Sequence, residues 1–349
     1  MDTKTYTFHT FGDGQEVQAT AHFDLQNKDG TKGIAILFHG GGFAIGSKDT
    51  VPESQISAPA ELGFVTIAAN YRLCPHVSLW DGPLADARNV YFWSRKKLPH
   101  LLQDDVGVTL NADKIVAIGY SAGSTLALHL VRAFIQAMTS PTEVHNKLTC
   151  NPRGTLSPPP RAIADFYGTK LFSDPFWFSP PPALSSLPDF SASLTSRIFE
   201  EPPATFTQSS MEKESADAAK EKRKGMPQPD FSNPRNAWLF DNLKKGTQLA
   251  ACVQDGDYDR CDAVTAFGKT FPPTVFVHGT GDDLVGPRIS EEAFKLLKEK
   301  GGVTELILAE DCAHGFDIGL EREEEGFDKR FKGKFMRFHL SRGLATDAY

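Results

Sequence analysis

The pentapeptide Gly119-Tyr120-Ser121-Ala122-Gly123 constrains this chain more than any other stretch. Before it, Asp113-Lys114-Ile115-Val116-Ala117-Ile118 is dominated by β-branched and small apolar residues, the pattern of a buried strand. After it, residues 124–134 are apolar on most faces, the pattern of a buried helix. Strand, tight turn and helix around G-x-S-x-G predict a nucleophile elbow, with the Ser121 hydroxyl raised at the carboxyl end of a sheet. A side chain at Gly119 or Gly123 would collide with the neighbouring strand or helix. The helix N-terminus behind the serine offers free N–H groups to a developing negative charge. An ordinary Gly-rich turn carries the same five letters, so the pentapeptide alone leaves both readings open.

A second motif narrows the choice. Lys32–Phe38 reads as an apolar strand that runs into His39-Gly40-Gly41-Gly42-Phe43. Successive glycines let the backbone approach a ligand and turn its N–H groups toward one point. Acyl transfer needs that arrangement to hold a tetrahedral oxyanion, where one lost donor costs ~3 kcal/mol of barrier. Alone the run reads as a flexible turn. Beside a G-x-S-x-G it is the loop that lipases and esterases use as the oxyanion partner.

The 349 residues suit one large α/β domain with an insertion, or two domains. A net charge of −7 without an extended basic face argues against a nucleic-acid partner. No apolar run reaches the length of a membrane span. The start, Met1–Tyr6, lacks an apolar signal core, and no Ser-Lys-Leu ends the chain, so the expected compartment is the cytoplasm. Cys74, Cys150, Cys252, Cys261 and Cys312 form no CxxC and no metal-ligand spacing; free thiols are expected, although Cys252 and Cys261 could approach across a loop.

Along the chain, Lys4–Thr10 and Val17–Phe23 alternate around Gly12-Asp13-Gly14 and predict a hairpin. Ala85–Leu98 predicts a helix with a basic end that suits the helix dipole. From Ser140 to about Cys252 the chain turns rich in Pro, Ser, Phe and charge, with one embedded strand at Ala162–Gly168 and a solvated helix at Glu212–Lys224. Core strands resume at Pro273–Val277, followed by His278-Gly279-Thr280-Gly281-Asp282-Asp283-Leu284-Val285. An incomplete G-x-G-x-x-G makes a nucleotide-binding reading weak here. A helix at Ser290–Lys300 and a strand at Thr304–Ala309 lead to Cys312-Ala313-His314-Gly315-Phe316. Phe327, Phe331, Phe335 and Phe338 give the closing helix a core stripe.

The strand into His-Gly-Gly-Gly-Phe, the strand ending Asn70-Tyr71-Arg72-Leu73, the elbow and His314-Gly315-Phe316 resemble the hormone-sensitive-lipase-like family of α/β-hydrolases. The resemblance runs from about Gly33 to Gly315 except for the middle. It implies an α/β class chain of the α/β-hydrolase fold: a mostly parallel central sheet flanked by helices, with an inserted lid. The core then comprises 1–168 and 253–349, and the lid 169–252. The family frame Gly-x-x-Asp-x-x-Val makes Asp282 the triad acid, with Asp283 as the alternative. Ser121, Asp282 and His314 then follow in the order usual for the fold. Gly40, Gly41 and the Ala122 N–H would form the oxyanion hole, and Asp86 would be structural. The chain departs from the family at Cys74-Pro75-His76, usually Ala-Pro-Glu, and at Tyr120, often Asp.

The expected function is therefore a serine hydrolase that cleaves carboxylic or thio esters through an acyl-enzyme on Ser121, with no metal or organic cofactor. A first alternative keeps the triad but transfers the acyl group, or forms or releases a lactone, from a carrier-bound or activated chain in secondary metabolism. That reading adds an acyl carrier protein as partner to the small-molecule ester or thioester. A second is a non-catalytic ligand-binding protein on the same fold, against which the presence of His314 counts. Candidates for the substrate pocket are Phe43, Tyr120, Phe172, Phe176 and Trp177. With Phe178, the last three would form either an acyl-chain wall or the lid's own small core.

Overall fold

The computed structural model describes residues 1–27, 29–139, 158–207 and 229–318. Its centre is an eight-stranded sheet: β1 (Asp2–Thr10), β2 (Glu16–Phe23), β3 (Lys32–Phe38), β4 (Phe64–Ala69), β5 (Leu110–Tyr120), β6 (Ala162–Phe166), β7 (Thr274–Gly279) and β8 (Thr304–Ala309). The spatial order is β1-β2-β4-β3-β5-β6-β7-β8. The β1–β2 and β2–β4 pairs are antiparallel, and all later pairs are parallel. Strands sandwiched between helical layers need apolar residues on both faces, and β4, β6 and β7 are buried along their whole length.

Alternation along β3 divides the core in two. Ile34, Ile36 and Phe38 join a large cluster with Leu84 and Val90 of α2 (Pro83–Lys96), Leu98 and Leu102 of α3 (Leu98–Val106), and Leu126 and Leu130 of α4 (Ala122–Thr139). Ala35 and Leu37 point the other way, toward Ile56 of α1 (Glu53–Ala60). α3 ends at Gly107, whose φ of 74° is the left-handed cap that stops a helix.

The topology also locates the site. From β3 the chain crosses to β4 on one side, then returns to β5 on the other. Adjacent parallel strands whose connections leave in opposite directions open a crevice at their carboxyl ends, where α/β sheets bind ligands. β3 ends at the glycine loop and β5 at Ser121, and the two strands pair in register from Ile34↔Ile115 to Phe38↔Gly119.

Asp86 of α2 is fully buried and accepts Arg72 N, Nε and Nη2 at 2.8–2.9 Å, which anchors the chain leaving β4. Cys74, Cys252, Cys261 and Cys312 are free thiols. Free thiols are what the sequence led one to expect, and the sulfur neighbour of Cys252 is Cys74. The expected helix at Glu212–Lys224, the phenylalanine stripe 327–338 and Cys150 lie outside the described residues. Among the described residues no helix is long and apolar enough to cross a membrane, and no cluster of His, Cys, Asp and Glu could hold a metal ion.

Candidate active site

Ser121 sits between β5 and α4 with a φ of 51°, a strained conformation for a residue with a side chain. The flanking glycines make the turn possible. A β-carbon on Gly119 would lie 2.4 Å from Gly123 O, and one on Gly123 would lie 2.2 Å from Phe38 O. The Ser121 N–H donates to Phe166 O of β6 at 2.9 Å, and the Ser124 hydroxyl to Gly119 O at 2.8 Å. These bonds clamp the turn between neighbouring strands and leave the Ser121 side chain half-exposed.

The glycine loop folds over the serine. A β-carbon on Gly40 would stand 3.2 Å from Ser121 Cβ, and one on Gly41 would lie 2.1 Å from Ile45 O. Gly41 O accepts the N–H groups of Ala44 and Ile45, each at 3.0 Å, which curls the loop. Among the described residues, the N–H groups of Gly40, Gly41 and Ala122 donate to no protein acceptor. His39 anchors the loop from below. Its ring stacks on Tyr71 with centroids 4.2 Å apart, its Nδ1 donates to Gly40 O at 2.7 Å, and Tyr71 OH donates to His39 O at 2.9 Å. Burial pushes the His39 imidazole down to about 4, against the Gly40 carbonyl and Asp49, which pull it up.

His314 and Asp282 complete a hydrogen-bonded chain. Ser121 Oγ lies 2.9 Å from His314 Nε2, and His314 Nδ1 lies 2.7 Å from Asp282 Oδ2. Two loops carry these groups and touch closely: a β-carbon on Gly279 would lie 2.1 Å from Cys312 O. Asp282 Oδ1 accepts the N–H groups of Leu284 at 3.0 Å and Val285 at 2.9 Å. Burial pushes the Asp282 carboxyl up, but hydrogen bonds from His278 and His314 and the His314 charge outweigh it and hold it well below the usual carboxylate range. Asp283 is exposed.

A family profile described as alpha/beta hydrolase fold matches residues 35–170, which hold the glycine loop, the elbow and β6. The chain has the α/β-hydrolase fold. It resembles solved structures of that fold across nearly its whole length. Thermogutta terrifontis esterase 2 is 20% identical, with a TM-score of 0.57, over 99% of this chain and 95% of that one. An alpha/beta hydrolase superfamily protein from Enterococcus faecalis is 17% identical, with a TM-score of 0.58, over 98% of each. Among curated proteins, non-reducing polyketide synthase adrD of Penicillium rubens is 28% identical over 346 residues, 91% of this chain and 13% of that protein. Non-reducing polyketide synthase mapC of Penicillium brevicompactum is 30% identical over 309 residues, 82% of this chain and 12% of that protein. The chain thus spans 12–13% of the length of these two relatives.

The pocket candidates lie in different surroundings. Phe43, with a φ of 65°, and Phe172 are buried in the main core, and Tyr120 packs on Phe166 across the sheet's other face. Phe176 and Trp177 are half-buried, with centroids 4.9 Å apart. Phe178 is 42% exposed and meets Tyr258 edge-on.

Six residues around the site escaped the sequence reading. The Tyr167 ring stands edge-on to His314 at 4.7 Å, and its hydroxyl donates to buried Asp317 at 2.5 Å. The Gln55 amide also donates to Asp317. Arg235, in α5 (Pro234–Lys245), and Gln248 bind the glycine loop, with Gln248 Nε2 donating to Gly42 O at 2.7 Å. His278 touches Asp282. Only His278 left a trace in sequence, as a polar residue ending the apolar run Val275–Val277.

Proposed function

We propose that this α/β-hydrolase is a serine acyl-transfer enzyme that opens a carboxylic ester or thioester through an acyl-enzyme on Ser121. The observation that carries the reading is the continuous chain Ser121 Oγ, His314 Nε2, His314 Nδ1 and Asp282 Oδ2, with links of 2.9 and 2.7 Å. Ser121 attacks the acyl carbonyl while His314 Nε2 takes its proton. His314 then delivers that proton to the leaving alcohol or thiol. Asp282 fixes the imidazole tautomer and stabilises the imidazolium. The N–H groups of Gly40, Gly41 and Ala122 hold the oxyanion. The Thermogutta esterase, of the same fold, is phosphorylated by paraoxon in one solved structure, and a nucleophile that reacts with an organophosphate on this fold supports the reading.

The curated relatives favour a narrower form of this reading. They are non-reducing polyketide synthases that contain a region like this chain. An acyl chain held as a thioester on a carrier protein is then the natural donor, and an alcohol, free or on the acyl chain itself, competes with water for the acyl-enzyme. Residues 169–252 act as the lid over that exchange, between the core parts 1–168 and 253–349.

A fluorophosphonate probe tests the core of the reading. The wild type is expected to label with one equivalent, and Ser121→Ala to lose labelling and several powers of ten in turnover while keeping its fold. Labelling retained in Ser121→Ala would reject Ser121 as nucleophile, and an unlabelled wild type would favour a ligand-binding role. Product analysis of p-nitrophenyl esters and thioesters, with water and an alcohol in competition, separates hydrolysis from transfer.

A further inference from the structure

Asp282 Oδ2 faces two imidazoles. His314 Nδ1 lies 2.7 Å away, and His278 Nε2 lies 3.0 Å away. His278 ends the apolar run of β7 and is fully buried. A polar group so placed is kept only if its hydrogen bonds are complete. His278 Nε2 also lies 2.8 Å from Val285 O. Both neighbours of that nitrogen are pure acceptors, so Nε2 carries a hydrogen and shares it between them. On the far side, Nδ1 lies 2.7 Å from the hydroxyl of Ser290, itself fully buried in α6 (Arg288–Glu299). The ring is therefore fixed at both nitrogens.

We infer that His278 is a positioning residue for the triad acid: its Nε2–H fixes Asp282 Oδ2 in the direction of His314 and shares that oxygen's charge. The inference rests on the reading of Ser121, His314 and Asp282 given above. Oδ1 of the carboxylate is held by two backbone N–H groups, but both come from the next three residues of the same loop. His278 is the donor to Asp282 that comes from a sheet strand, so it ties the loop's orientation to the rigid core. It also links that carboxylate, through Ser290, to α6. Without this donor, Oδ2 would keep His314 as its side-chain partner but lose the fixed point that aims it.

Two amide variants separate the donor from the packing. The side-chain nitrogen of His278→Gln reaches about as far as Nε2 and can donate to Asp282 Oδ2. That of His278→Asn reaches only as far as Nδ1, and so can meet Ser290 but not Asp282. The readout is fluorophosphonate labelling of the whole chain, resolved into its maximal rate and its half-saturating concentration. The maximal rate is expected near wild type for Gln and lower by roughly 10-fold or more for Asn, well short of the ~10⁴-fold loss known for a triad acid itself. The half-saturating concentration stays unchanged in both. Ser290→Ala keeps the imidazole but removes its backing, and is expected to slow labelling by a smaller factor. Equal maximal rates for Gln and Asn would overturn the inference. So would a wild-type rate in Ser290→Ala should the Asn variant fail to fold. A wild type that does not label would instead overturn the reading of Ser121.

Discussion

Arg235 Nη1 donates to Ala44 O at 3.1 Å across 191 residues of sequence. The same nitrogen donates to Cys74 O at 2.9 Å, and Nη2 lies 3.3 Å from His76 Nδ1. One buried guanidinium thus joins the glycine loop to the chain leaving β4. Gln248 adds a bond to Gly42 O, and Thr207 Oγ1 accepts Gly46 N at 2.7 Å. The segment expected to lie over the substrate also straps the loop whose N–H groups would hold the oxyanion.

Arg235→Met leaves two buried carbonyls without a donor, each costing about 1–3 kcal/mol. A loss of roughly 3 kcal/mol in urea unfolding is expected, together with slower fluorophosphonate labelling as Gly40 and Gly41 lose their support. Arg235→Lys keeps the charge but lacks the planar fork, and is expected to recover only part of either loss. Wild-type stability and labelling in Arg235→Met would show that the strap does not govern the loop.

The two adjacent aspartates are separable by kinetics. Asp282 is buried against His314, whereas Asp283 is exposed. Asp282→Asn is expected to lose on the order of 10⁴ in turnover, by the precedent of the Ser-His-Asp triad. Asp283→Asn is expected to stay near wild type in both turnover and melting temperature. The reverse ranking, measured with one p-nitrophenyl ester, would move the acid by one residue.

Local pattern carried the sheet. The runs Lys32–Phe38 and Thr304–Ala309 form strands with those bounds, because short apolar runs and flanking turn residues act over a few positions. The elbow was legible for the same reason: Gly119 and Gly123 sit where side chains cannot. Groups that meet through tertiary contact were not legible. Arg235 looked like one more charge in a polar insertion, and nothing near it in sequence names Ala44 as its partner. Asp317 follows His314 by three residues, yet its partners Gln55 and Tyr167 lie 262 and 150 residues away. Burial of Phe172 was equally hidden, because an aromatic beside a core strand looks alike whether it faces a cavity or the core.

His39 makes stability depend on pH. Burial lowers its folded value to about 4, against ~6.5 in an unfolded chain. Between those values the unfolded chain binds more protons, so stability falls as pH falls through this window. The full effect is up to roughly 3 kcal/mol, and it acts on the loop that carries Gly40 and Gly41. Urea unfolding across the window is expected to show the loss in wild type and a shallower slope in His39→Asn, which cannot gain the proton. Parallel slopes would mean that other groups, such as half-buried His22 and His76, whose values burial also lowers, carry the acid sensitivity.

Trp177 decides between a pocket wall and a lid core. Its Nε1 donates to Lys170 O at 2.9 Å and Leu171 O at 3.0 Å, where Leu171 holds a φ of 56°. Its ring meets Phe172 and Phe176 edge-on, and Phe172 is fully buried. These contacts make the indole a clamp on the strained loop that follows β6, the strand whose Phe166 O holds the Ser121 N–H. Trp177→Ala is therefore expected to cost about 2–3 kcal/mol, below the range for a fully buried aromatic. It should depress acetyl through decanoyl esters by one common factor. Trp177→Phe keeps the ring, loses the N–H, and should fall between. A ring that lined the acyl pocket would behave differently, because each buried methylene gains at most ~0.8 kcal/mol from such a wall. In that case the rise of kcat/KM with chain length would flatten in Trp177→Ala while acetyl esters and the melting temperature held. Esters of increasing length, measured beside a thermal melt of each variant, separate the two, and an unchanged melt with a flattened profile would reject the clamp.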